Sequence, residues 1–128
     1  MASNAELVRS ALDAFFSGND AGLRDRLAAD AQWLWHRPGD HDCHGREQVL
    51  DRLAARRRQR ILTGVIDARD GADGRVLVRW FGERMQRRFG VPGGAASIVV
   101  TVDGDRIARI QDCTGHAQAL ALAGLADA

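Results

Sequence analysis

The chain has 128 residues and a net charge of +1, with 45% hydrophobic and 27% charged residues. That length builds one domain around a single core, and no apolar run approaches the ~18 residues of a membrane span. The near-neutral balance excludes a dedicated nucleic-acid binder, which carries a basic stripe and a high pI. All 18 basic residues are arginine and tyrosine is absent. Schiff-base catalysis by lysine is therefore ruled out, as is a phenol donating into an oxyanion hole.

The opening "MASNAELVRSALDAFF" lacks the basic-then-apolar order of a signal peptide. Cys43 and Cys113 are too few and too far apart for a disulfide framework, so a reducing cytoplasm is the expected location. A single bridge between them stays open at this stage, because it depends on distance.

Ser3 and Glu6 form an S-x-x-E capping box, followed by Val8, Leu12, Phe15 and Phe16 at helical spacing. That helix is expected to stop near Ser17, where "SGND" breaks it. Asn19 or Asp20 then caps a short second helix, "AGLRDRLAAD", with Leu23 and Leu27 four apart. "AQWLWH" reads as a strand with Trp33 and Trp35 on one face. A loop from Arg37 to Gly45 leads into a third helix, "GREQVLDRLAARRR", which turns Val49, Leu50 and Leu53 inward. The arginines 56 to 60 at its end favour the helix dipole and read as solvated.

Two hairpins follow. "RILTGVIDAR" and "RVLVRWFGERM" flank "DGADG", and "ASIVVTV" and "RIARIQDC" flank "DGD". Between them "QRRFGVPGG" is too rich in Gly and Pro for regular structure. From about residue 115 the alanine-rich tail is weakly helical and prone to fray. The order predicts a single α+β domain over 1–128, with helices gathered on one face of a curved antiparallel sheet.

Several short motifs resemble one family. "AFFSGNDAGLRDRLAADAQWLWHRPGDHDCHGREQVL" is similar to the opening of SnoaL-like proteins of the NTF2-like superfamily, through its G-[ND]-D turn, "L-A-x-D-A-x-W", W-H-x-P-G and G-R-E-x-V. "RFGVPGG" resembles that family's F-x-G-[IV]-P-x-x-G loop, and "DGDRIARIQD" its final hairpin. The likeness runs over about residues 5 to 114. It implies a cone: a bent sheet wrapping N-terminal helices, an apolar pocket open at one end, and a homodimer through the sheet's convex face. Such proteins include cyclases, isomerases, epoxide hydrolases, dehydratases and members that only bind, so the fold alone leaves the function open.

Asp112 is the leading candidate for chemistry. In "RIARIQDC" it shares strand parity with Ala108 and Ile110, so it faces the core if they do. A carboxylate in an apolar cone is desolvated, which raises its pKa and suits it to move protons. The resemblance also implies an acid/base aspartate near this point. The alternative is an aspartate paired with an arginine. Trp33, Trp35 and Trp80 are candidate walls of a pocket for a flat apolar ligand, with Phe16 beside them, or else plain core. Phe89, with Val91, is a candidate rim of the Gly-rich loop.

His36, Asp40, His41, Asp42, Cys43 and His44 are all metal-ligand types. The spacing H-x4-H-x-C-H is poor for a metal, so this loop reads as a pocket rim. His36 is placed as a proton-transfer assistant to Asp112, and His44 and His116 as residues at the mouth.

The resemblance does not extend to ketosteroid isomerase chemistry. Trp35, Leu12 and Ile98 or Val99 stand where that mechanism needs an aspartate base, a tyrosine and a second acid. Asp112 and Arg79 supply part of an epoxide-hydrolase set, but a second carboxylate is missing. The expected function is cofactor-independent acid/base catalysis on an apolar or carbonyl-bearing small molecule, of isomerase, cyclase, dehydratase or hydrolase type. A non-catalytic ligand-binding or dimerisation module is the alternative, and metal binding by the 36–44 loop a weaker one.

Overall fold

The computed structural model describes residues 3–37, 39, 41–84 and 95–125. Helix α1 (Asn4–Phe16) starts where Ser3 Oγ accepts the Glu6 amide, one half of the expected capping box. It buries Val8, Leu12 and Phe15 along one stripe. Phe16 lies beside that stripe, half-buried, with its ring edge-on to Phe15 at 5.6 Å.

Helix α2 (Asp20–Arg24) is shorter than its leucine spacing predicts, and Leu27 belongs to strand β1 (Leu27–Leu34) instead. The Arg26 carbonyl accepts the Ile107 amide at 2.6 Å, which draws the chain into the sheet before another helical turn forms. Both leucines are buried, so their spacing reports burial and not periodicity. Trp35 and His36 lie just beyond the strand. The two-residue strand β2 (Cys43–His44), inside the expected loop, returns antiparallel to β1.

Helix α3 (Arg46–Arg58) starts after Gly45, whose φ of 96° suits glycine, and buries Val49, Leu50 and Leu53 as expected. Strands β3 (Gly64–Asp70), β4 (Arg75–Phe81), β5 (Ala95–Asp103) and β6 (Arg106–Asp112) form the two expected hairpins. The sheet runs in the order β2-β1-β6-β5-β4-β3. Its pairings are antiparallel except for β1 with β6, which is parallel. The expected all-antiparallel sheet is thus a mixed one. β1 and β6 are distant in sequence, and the chain between them supplies the crossover that parallel neighbours need.

Register shifts interrupt the β1–β6, β3–β4 and β5–β6 ladders. Such irregularities bend and twist a strand. α1 packs on β3 and β4 while α3 packs on β1 and β2, so one core lies between the helices and the inner face of the sheet.

The outer face is partly covered. Helix α4 (His116–Leu122) lays Ala119 and Ala123 on Leu77 and Val99. Arg75 Nη1 donates to the Leu122 carbonyl at 2.9 Å and the Ala72 amide to that of Ala123 at 2.8 Å. A Cβ at Gly71 would sit 2.2 Å from the Ala123 oxygen, so this approach requires glycine. The Gly-rich loop with Phe89 and Val91 lies outside the described residues. Among the described residues no helix is long and apolar enough to cross a membrane.

Leu53 is fully buried between α3 and the sheet. Leu53→Ala is expected to cost about 2–5 kcal/mol of unfolding free energy, read from the urea midpoint at unchanged m-value. A loss under about 0.5 kcal/mol, the range of surface substitutions, would contradict this core assignment.

Candidate functional site

β6 reaches the site through an irregularity. Arg109 pairs with Thr101, but the next inward pair is Ile107 with Val102, so Ala108 falls at the register shift. Ile107 and Ile110 both face the core, and Ala108 is only half-buried. The simple parity of Ala108 therefore fails in mid-strand. Regular alternation resumes at Ile110 and carries Asp112 inward, opposite Ile98.

Parallel pairing sets Trp33 of β1 beside Ile110. From there its indole Nε1 donates to Asp112 Oδ1 at 2.9 Å. The Trp33 ring also lies 5.7 Å from that of Trp80, tilted by 59°. Burial pushes the Asp112 carboxyl above its ordinary value of 3.8. The Trp33 hydrogen bond, and the positive potential of His36, Arg56 and Arg52, pull the other way without cancelling it. Oδ2 has no hydrogen-bond partner among the described residues.

These groups line a cavity of about 470 Å³, within the range of small-molecule sites. Trp33, Trp80, Leu62 and Ile98 supply apolar wall, and Asp112 stands among them. Cys113 and Thr114 continue the lining beyond it. Burial, with the neighbouring Asp112 charge, pushes the Cys113 thiol up to about 11. It is therefore protonated at neutral pH and a poor nucleophile. Cys43, on the strand opposite Trp33, is buried in the core, and both cysteines are free thiols.

The 36–44 loop is organised by one carboxylate. Asp42 Oδ1 accepts the Trp35 amide at 2.8 Å, and the Asp42 amide donates to the Gly39 carbonyl at 3.2 Å. The Trp35 ring lies against the imidazoles of His36 and His41, at centroid distances of 4.4 and 4.7 Å. All three line the cavity. His44 turns outward beside Gln32, and its amide donates to Gln48 Oε1. No group of three or more His, Cys, Asp or Glu side chains converges among the described residues.

The structure thus brings Asp112, His36, Trp33, Trp35 and Trp80 to one cavity. It leaves three candidates elsewhere: Phe16 beside α1's buried stripe, His44 on the far side of the loop, and His116 at the start of α4. The His116 Nδ1 is 2.7 Å from Ser97 Oγ, a contact that ties α4 to β5. Arg79 points to the outer face and pairs with Asp67 at 3.8 Å, so it does not join Asp112 in a water-positioning set. Leu12 and Ile98, which stand where that isomerase mechanism needs a tyrosine and a second acid, are buried apolar side chains at 1% exposure.

Two charged lining residues escape the sequence reading. Arg52 and Arg56, four apart on α3, both reach the cavity. Arg56 was grouped with the solvated arginines at the helix end, yet it follows Val49 and Leu53 at helical spacing. That extension of the apolar stripe by a guanidinium was the available signal.

No protein-family model and no curated protein matches the chain. Solved structures do. A hypothetical protein with a ketosteroid isomerase-like fold from Catenulispora acidiphila, in complex with trimethylamine, superposes at a TM-score of 0.57. It is 24% identical, and the match covers 94% of this chain and 93% of that one. A candidate polyketide cyclase from Sinorhizobium meliloti is 20% identical at a TM-score of 0.59, covering 82% of this chain and 91% of that one. An NTF2-like protein of unknown function from Cytophaga hutchinsonii is 13% identical at 0.62, over 87% and 88% of the two chains. This chain therefore has the NTF2-like fold that its SnoaL-like motifs imply.

Proposed function

We propose that the cavity binds an apolar, carbonyl-bearing small molecule and that Asp112 moves a proton on it. The observation that supports this reading is a carboxyl group kept in an apolar cavity, with one oxygen engaged by Trp33 and the other without a hydrogen-bond partner among the described residues. In the ionised form Oδ2 takes a proton from the carbon next to the substrate carbonyl, leaving an enolate. The resulting acid returns that proton to another carbon in an isomerisation, or to the new alkoxide in an aldol-type ring closure. The Trp33 N–H holds the carboxyl group in one orientation throughout, which limits what must reorganise in the transition state. His36 serves as a second proton carrier at the mouth, while the flat faces of Trp33, Trp35 and Trp80 orient the substrate. The chemistry requires no cofactor.

A non-catalytic binding module is the competing reading. The Trp33–Asp112 bond favours it to the extent that a buried indole N–H needs an acceptor. Support for a homodimer comes from Ile66 on β3 and Phe81 on β4, large apolar side chains exposed at 38% and 40%.

The Asp112 carboxyl, followed by ¹³C NMR, is expected to titrate above 3.8. Trp33→Phe should raise the midpoint further, because the lost hydrogen bond favours the ionised form. The linkage sign follows from the same direction: the contribution of Asp112 to stability is full below its unfolded pKa and fades as pH rises through the folded value. A midpoint below 3.8 would identify an ion-paired, structural aspartate.

For catalysis, α-proton exchange of aryl ketones and β-dicarbonyl compounds in D₂O, followed by NMR, should be faster with wild-type protein than with Asp112→Asn. General acid–base catalysis sets the expected gap at about 10²–10⁴-fold. Equal exchange rates, with the compounds still quenching tryptophan fluorescence, would select the binding module. Replacing Ile66 with Arg should shift the sedimentation coefficient from dimer to monomer, and an unchanged value would move the dimer contact elsewhere.

A further inference from the structure

We propose that the ligand carries a carboxylate, held by Arg52 on the inner side of α3. This deepens the reading of the cavity as a small-molecule site and rests on it. Two guanidinium groups and one carboxyl group line the same space. No ion pair within 4.0 Å joins Asp112 to Arg52 among the described residues. Arg52 thus faces the cavity without being neutralised by Asp112.

Arg52 is oriented for such a task. Its Nη1 donates to the His41 carbonyl at 2.9 Å, which holds the side chain against the 36–44 loop. A guanidinium presents five N–H donors in a planar fork, so one anchored donor leaves others for a ligand. A carboxylate is the anion whose planar oxygen pair matches that fork. Arg56, one turn further along α3, adds positive potential on the same side.

The occupant that fits is an amphipathic acid. Its carboxylate lies along α3, and its flat apolar body lies towards Trp33, Trp80 and Leu62. Its reacting carbon then approaches Asp112 from the apolar side. A ligand held this way has its anionic end at a permanent positive charge and its reactive end at a proton donor or acceptor. Such a molecule is a keto acid or an aryl-substituted acid, not a neutral hydrocarbon or an amine.

The test compares 2-naphthoate with its uncharged counterpart 2-naphthamide, by calorimetry and tryptophan fluorescence at constant ionic strength. Wild-type protein is expected to bind the acid at least about tenfold more tightly than the amide, the scale of one charge-assisted hydrogen bond. Arg52→Gln should abolish the preference while amide affinity stays the same, showing that the cavity persists. Arg52→Lys should retain part of it, because charge remains but the fork does not. Asp112→Asn should tighten acid binding, since it removes a negative charge from the lining. Equal affinity for acid and amide, or a preference that survives Arg52→Gln, would overturn the proposal. That outcome differs from failure of the acid/base reading, in which Asp112→Asn leaves α-proton exchange unchanged while the Arg52-dependent preference for the acid persists.

Discussion

The Trp33–Asp112 hydrogen bond concentrates most of what the fold achieves. A carboxyl group in an apolar cavity loses hydration, and one indole N–H replaces only part of it. That donor arrives from a strand distant in sequence, so the contact exists only because β1 runs parallel to β6. Shifting β1 by one residue would send Trp33 to the other face of the sheet, leaving Asp112 without its donor. The same shift would separate Trp33 from Trp80 and open the apolar wall. Register, aromatic packing and carboxyl chemistry are thus one constraint.

The register shift in β6 belongs to the same constraint. It lets two isoleucines separated by three positions both face the core, and it also sets the parity with which the strand ends. Under unbroken alternation through Ala108, Ile107 and Asp112 would lie on opposite faces. The irregularity near the middle of the strand is what allows a well-packed core and an inward carboxyl group in one seven-residue segment.

Patterns that depend on local chemistry were legible in the sequence. The capping serine, the stripe of Val49, Leu50 and Leu53, and both hairpins appear where their residues imply. The inward direction of Asp112 was also legible, though the reason offered through Ala108 was incomplete. What the sequence concealed depended on distant partners. Leu27 looked helical because its four-residue spacing from Leu23 fits a helix, while its actual constraint is the sheet. His116 looked like a mouth residue because it follows Asp112 closely; it does not itself line the cavity, but its Nδ1 lies beside Ser97, which does. Arg56 looked solvated because it begins a run of arginines, although it continues the buried phase of Val49 and Leu53.

The exclusive use of arginine has a consequence inside the cavity. A lysine beside apolar walls loses its proton readily, so its charge would depend on the same conditions that govern the aspartate. An arginine stays charged under all of them. The lining of this cavity therefore separates two electrostatic functions. Arg52 and Arg56 contribute guanidinium charge, and Asp112 is the carboxyl group whose proton affinity burial raises. Because the fixed charge lowers the Asp112 pKa while burial raises it, the arginines also limit how far the carboxyl departs from the ionised form. An anionic ligand that neutralises them would weaken that limit and raise the carboxyl pKa. Under the proposed reading, anion occupancy of the cavity and the proton affinity of Asp112 would be coupled through α3.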